Sequence, residues 1–286
     1  MIRFNPYKGD PFTLYKEAVS RCKGDKKNTL TSIEKSVEAM YAEYNKYFAT
    51  NDVHNVPQHS LPSLHDDYLK SLYSSQSLLY RLLMRDFNSR LDSKVYQNKC
   101  PYCMYEAADT MEHILPKEDF QEYAIHAYNL IPCCSLCNSH KGRKVRNAEG
   151  DPEFLNFYYH NPDSAEFLKL EISMDENDQP EFHYKLSFPT TVDPLLKRII
   201  INHFDNLNLL KRLDDKVIST YTSEEVKIIL NLRDNSVDET LKIIEGWLSV
   251  YAKLYGNNHY YTVLLCLLVS SPIYKAYLTS CKARLE

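Results

Sequence analysis

The sequence predicts a mainly α-helical protein interrupted by one small cysteine-bearing module and one short β-hairpin. Three observations carry this expectation. Glycine is scarce, at 6 of 286 residues against 23 tyrosines, and Leu and Ile recur at helical spacing toward both ends. Five of the eight cysteines crowd between Cys100 and Cys137. Two short runs, Leu168 to Met174 and Phe182 to Phe188, flank the turn-rich Asp-Glu-Asn-Asp-Gln-Pro and read as a hairpin.

Taken in order, Thr31 and Glu34 have the spacing of a capping box ahead of Ile33, Val37, Met40, Tyr41, Tyr44 and Phe48, which predicts a helix over about 32–48. From Asp52 to Pro62 the composition turns to His, Pro, Asn and Ser and reads as a loop. A second apolar stripe, Leu69, Leu72, Leu79, Leu82 and Leu83, predicts one helix from about Asp66 to Arg90. After the hairpin, Asp193 as N-cap and Pro194 at the first helical position open a helix through Leu195, Leu196, Ile199, Ile200 and Phe204. Ser236 and Glu239 form a second capping box, for a helix that Gly256 ends. The expected division is 1–95, a helical region; 96–160, the cysteine module; and 161–286, the hairpin with the C-terminal helices.

The apolar run Tyr260 to Val269 is shorter than the roughly 20 residues that a bilayer requires and reads as a buried helix. The N-terminus lacks the apolar core and small-residue cleavage site of a secretory signal, so the expectation is a cytoplasmic, reducing setting without a membrane partner. In a chain this long a core needs no staples, and cysteines clustered in this way point to a metal rather than to disulfides. A net charge of −4 does not mark a general nucleic-acid binder. The charge is uneven, however, and His140, Lys141, Arg143, Lys144 and Arg146 form one basic run after the cysteines, where a phosphate backbone could be held.

Cys100-Pro-Tyr-Cys103 and Cys134-Ser-Leu-Cys137 are two CxxC pairs separated by thirty residues, each able to bring two thiolates to one tetrahedral ion. The expectation is a structural Cys₄ zinc site that holds loops together and does no chemistry. Cys133 adjoins the second pair, and spacing alone leaves Cys133 and Cys134 as alternatives.

Between the pairs lie Glu112-His113-Ile114-Leu115-Pro116 and Asn129-Leu130-Ile131-Pro132, and Asn138-Ser139-His140-Lys141-Gly142 follows directly. Over Cys100 to Lys144 the chain resembles the HNH endonucleases of the ββα-metal, or His-Me finger, group. The resemblance implies a small ββα-metal module in which His113 is the general base, Asn129 fixes the loop that orients it, and Glu112 with Asn138 binds one catalytic divalent cation, Mg²⁺ or another. His140 remains an alternative ligand to Asn138. Glu112 departs from the Asp or His frequent at its position and is one methylene longer than Asp. Lys141, Arg143, Lys144 and Arg146 would then hold nucleic acid: DNA, with RNA left open. Such a site suits the chemistry, because cutting a phosphodiester requires charge neutralisation, a deprotonated water and a stabilised leaving oxygen. Ile199 to Arg212 further resembles a helical segment that follows the nuclease core in bacterial HNH proteins, some of them anti-phage effectors paired with an ATPase partner. The competing expectation is a zinc-ribbon module that binds nucleic acid or protein without cutting. His126, His160, His183 and His203 have no spaced partners and read as structural or surface histidines.

Overall fold

A computed structural model describes residues 4–73, 78–89 and 98–285. The chain forms two compact units, Ile2–His160 and Asn161–Glu286. It is mainly helical, with two small antiparallel hairpins and a buried four-cysteine cluster. The expected boundary at 95/96 falls outside the described residues.

The first unit opens with α1 (Pro11–Ser20), α2 (Gly24–Ser32) and α3 (Glu34–Ala49). Asp10 caps α1, accepting from the Phe12 N–H at 3.1 Å. The capping box read from Thr31 and Glu34 does not form: Thr31 lies inside α2, and α3 follows after Ile33 with no side-chain cap. The predicted stripe is present, with Val37, Tyr41, Tyr44 and Phe48 buried. The single helix expected from Asp66 to Arg90 is two, α4 (Ser63–Lys70) and α5 (Leu78–Ser89). The first stops at Ser71, whose N–H bonds back to the Asp67 carbonyl at 3.0 Å, and Arg90 lies outside the described residues. α4 packs on α2 and on a 3-10 turn at Gln121–Tyr123.

The middle of this unit is β1 (Thr110–His113), a long loop, β2 (Leu130–Cys133) and the short α6 (Ser135–Lys141). β1 and β2 pair antiparallel, with Glu112 opposite Ile131 and His113 opposite Leu130. Buried aromatic rings join the loop to α3: Tyr123 and His126 lie 4.9 and 4.3 Å from the Tyr44 ring. Such contacts contribute about 0.5–1.5 kcal/mol each beyond the area they bury, which explains part of the tyrosine excess.

The second unit begins with the hairpin β3 (Leu168–Met174) and β4 (Pro180–Leu186), in register from Leu168 opposite Leu186 to Met174 opposite Pro180. Asp175 closes its turn by accepting from the Asn177 and Gln179 N–H groups at 2.8 and 2.7 Å. The helices are α7 (Pro194–Asn206), α8 (Leu209–Asp234), α9 (Val237–Tyr255), α10 (Tyr260–Ser270) and α11 (Pro272–Leu285). Asp193 caps α7, the Ser236 and Glu239 box caps α9, and Gly256 ends α9 at φ +80°, all as the sequence predicts. The segment Ile199 to Arg212 is the end of α7, a left-handed Asn208 and the start of α8. α10 is largely buried in this unit, and among the described residues no single helix is long and apolar enough to cross a membrane.

Candidate functional site

Two turns bring the four sulfurs together. In the first, the Met104 N–H donates to the Cys100 carbonyl at 2.8 Å and Met104 takes φ +70°, so Cys100 and Cys103 face the same way. In the second, Cys134 caps α6, its Sγ accepting from the Cys137 N–H at 3.4 Å. The sulfurs of Cys100, Cys103, Cys134 and Cys137 all lie within 4.8 Å of one another and are buried. Cys134, not Cys133, therefore completes the set. Cys133 stands just outside it, with its Sγ 3.8 Å from that of Cys100. No cysteine is in a disulfide.

Burial pushes the Cys100 thiol well up, because an isolated thiolate is poorly solvated there. Four converging thiolates would repel one another, and a soft divalent ion offsets that repulsion. The donor set fits zinc in a closed tetrahedral site.

The cluster ties the start of the module to the junction of β2 and α6, and on the hairpin between them Glu112 and His113 end β1. On a continuing strand, neighbours would point to opposite faces. Glu112 and His113 nevertheless both line one cavity of about 490 Å³, as do Thr110 and Met111 before them and Asn138 from α6. Tyr73, Pro116, Lys117, Glu118 and Arg143 also border it. The three residues expected to meet do share one space. His140 is exposed and does not line this cavity.

His113 is 5% exposed, and its Nε2 lies 2.9 Å from the Ala124 carbonyl oxygen. A carbonyl only accepts, so Nε2 carries the proton and Nδ1 keeps its lone pair. Desolvation lowers the pKa of His113 to about 4, which keeps the imidazole neutral near pH 7. The Tyr73 ring stands edge-on to it at 4.6 Å, and the Tyr73 hydroxyl donates to the Met111 carbonyl at 3.0 Å.

Asn129 is fully buried and does not line the cavity. Its Nδ2 donates to the Leu115 and Tyr123 carbonyls at 3.0 and 3.1 Å, and its Oδ1 accepts from the Leu115 N–H at 2.8 Å and the Tyr44 hydroxyl at 3.2 Å. One side chain thus clamps both ends of the loop that presents the Ala124 carbonyl. Every polar atom of the Asn129 side chain is thus satisfied.

Glu112 is 4% exposed, and its Oε1 lies 3.0 Å from Lys141 Nζ, itself 2% exposed. Burial raises the pKa of Glu112 and the Lys141 ammonium opposes the rise. This corrects the reading of the basic run. Lys141 does not reach solvent, because it falls four residues after the buried Cys137 on the same face of α6. Arg143 is exposed but forks onto Asp119 through Nε, at 2.8 Å, and Nη2. Arg146 Nη1 donates to Asn55 at 3.0 Å, and Lys144 is exposed. The run is thus an inward cation followed by outward ones, not one basic surface.

Tyr73, Asp119 and the Ala124 carbonyl were not foreseen from the sequence. Tyr73 lies forty residues before His113, and only the fold brings it close. The remaining histidines behave as expected: His126 packs among tyrosines, the His160 ring accepts from the Asn156 N–H at 2.9 Å, His183 lies 3.4 Å from Asp214, and His203 is buried.

The chain is 28% identical over 150 residues to Septu protein PtuB of Bacillus thuringiensis, a stretch that is 48% of each chain. It thus spans about half the length of the curated relative it matches. No protein family matches the chain, and no solved structure does.

Proposed function

We propose that this protein is a metal-dependent endonuclease of the HNH type that hydrolyses phosphodiester bonds in DNA. The observation that supports this reading most directly is the convergence of Glu112, His113 and Asn138 on one cavity beside a buried four-sulfur cluster. His113, with Nε2–H held by the Ala124 carbonyl, offers the Nδ1 lone pair to a water and takes its proton. The Glu112 carboxylate and the Asn138 amide oxygen are hard donors suited to Mg²⁺, which, when bound, would neutralise the phosphate and stabilise the leaving oxygen. Asn129 and Tyr73 keep the imidazole in place. The likeness to Septu protein PtuB supports an anti-phage defence role, with an ATPase or other protein of the same system as partner.

The test is His113→Ala. The variant should lose divalent-ion-dependent plasmid nicking by about 10²-fold or more while keeping its zinc and its circular dichroism spectrum. Retained nicking would remove His113 from the mechanism. One observation favours a second reading, a zinc module that binds without cutting: the Glu112 carboxylate already has a buried cationic partner in Lys141. On that reading the protein retards DNA in a gel but leaves it intact with Mg²⁺ or Mn²⁺.

A further inference from the structure

Among the described residues, Glu112, Lys117, Glu118 and Arg143 of the cavity lining take part in three ion pairs, each joining one cation to one carboxylate. Lys141 meets Glu112 at 3.0 Å, Lys117 meets Glu118 at 2.9 Å, and Arg143 meets Asp119. A site for a polyanion would be expected to present unpaired cations. Here each of these cations faces an acid, and only Lys141 is sealed away from solvent.

The Arg143 pair differs from the others in geometry. The chain leaves α6 through Gly142 at φ +54°, and Gly142 and Arg143 both line the cavity. Nε donates to Asp119 Oδ2 at 2.8 Å and Nη2 donates to Oδ1, a two-pronged fork. Asp119 is held to receive it, because the Asp119 and Phe120 N–H groups both bond to the Pro116 carbonyl, at 3.0 and 2.9 Å. A guanidinium fork donates to two phosphate oxygens in the same manner as to two carboxylate oxygens. The Arg143 side chain is 65% exposed, so the pair is screened and shifts an equilibrium by at most about fivefold. A bound phosphate can displace it readily.

We infer that Arg143 is a phosphate-binding residue of the substrate site and that the Asp119 carboxylate stands in for the phosphate until nucleic acid arrives. The inference rests on the nucleic-acid reading of the cavity and adds a regulatory element to it. Asp119 lowers affinity for any stray polyanion and gives way where a phosphodiester is also held deeper in the cavity. The guanidinium exchanges one two-oxygen anion for another, and no bond is made or broken.

The experiment uses the full chain and a fluorescently labelled DNA oligonucleotide, single-stranded and duplex, at fixed salt with no added divalent cation, so that nothing is cut. Anisotropy should show Asp119→Asn binding about three to five times more tightly than the wild type. Arg143→Ala should bind more weakly, and the double variant no more tightly than Arg143→Ala alone. Equal melting temperatures establish that the variants are folded. A gain from Asp119→Asn that persists without Arg143 would mean a diffuse charge effect and would overturn the inference, as would no gain, or no binding by any variant. Binding that follows the expected order without cleavage on adding Mg²⁺ would sink the nuclease reading and leave the phosphate site standing.

Discussion

Glu122 is 1% exposed, and among the described residues neither of its carboxylate oxygens has a hydrogen-bond partner on another residue. It sits on the turn Gln121–Tyr123, against α4, with Asp66 and Glu43 as the charges that act on it and Tyr41 and Tyr123 nearby. Desolvation raises its pKa from 4.5 to about 7; the residue's own backbone N–H opposes the rise, and the two neighbouring carboxylates add to it. The folded state therefore holds this proton more tightly than the unfolded chain does. Its contribution is fully present below pH 4.5, is lost as pH rises through about 7, and is constant above that. The gap between 4.5 and about 7, at ~1.4 kcal/mol per pH unit, sets the loss at about 3 kcal/mol. Glu122→Gln removes the ionisable proton and keeps the shape. We expect the stability of the variant relative to wild type to improve by about 2–3 kcal/mol between pH 5 and pH 8, measured by urea denaturation followed by near-ultraviolet circular dichroism. A difference that is the same at both pH values would refute the reasoning, because it would mean that Glu122 is already charged or solvated in the folded protein.

Cys134→Ser should release zinc and unfold the module, since such sites supply ~10 kcal/mol or more of folding free energy, whereas Cys133→Ser should retain one equivalent; zinc released to a colorimetric chelator separates the two. Asn129→Ala should destabilise the fold by about 2–4 kcal/mol in chemical denaturation, because it strands the Leu115 and Tyr123 carbonyls and the Leu115 N–H in a dry interior.

Several patterns that depend on near neighbours are legible in the sequence, although the Thr31 and Glu34 spacing gives no capping box. The two CxxC pairs, the Asp193 and Ser236 caps and the turn between β3 and β4 all come from spacings of a few residues, and the structure has each of them. α2 was missed because Gly-Asp-Lys-Lys-Asn-Thr-Leu-Thr-Ser has almost no apolar stripe, and only Leu30 of it is buried. The stretch after Asp66 looked like one helix because a leucine stripe carries no sign of a break at Ser71. Lys141 could have been read correctly: it lies four residues after Cys137, so a ligand that faces inward takes the lysine with it. The forks and contacts that complete the site could not. Arg143 and Asp119 are twenty-four residues apart, Tyr73 and His113 forty, and no local rule links such positions before the chain is folded.

The placement of the four sulfurs, two ahead of β1 and two where β2 meets α6, sets how this protein would fail. Losing a single thiolate to an oxidant frees both ends of the hairpin together, so damage is all-or-nothing rather than gradual. A cell that runs short of zinc, or floods with peroxide, would loosen this module at its sulfurs while the side chains of Glu112, His113 and Asn138 stayed chemically intact.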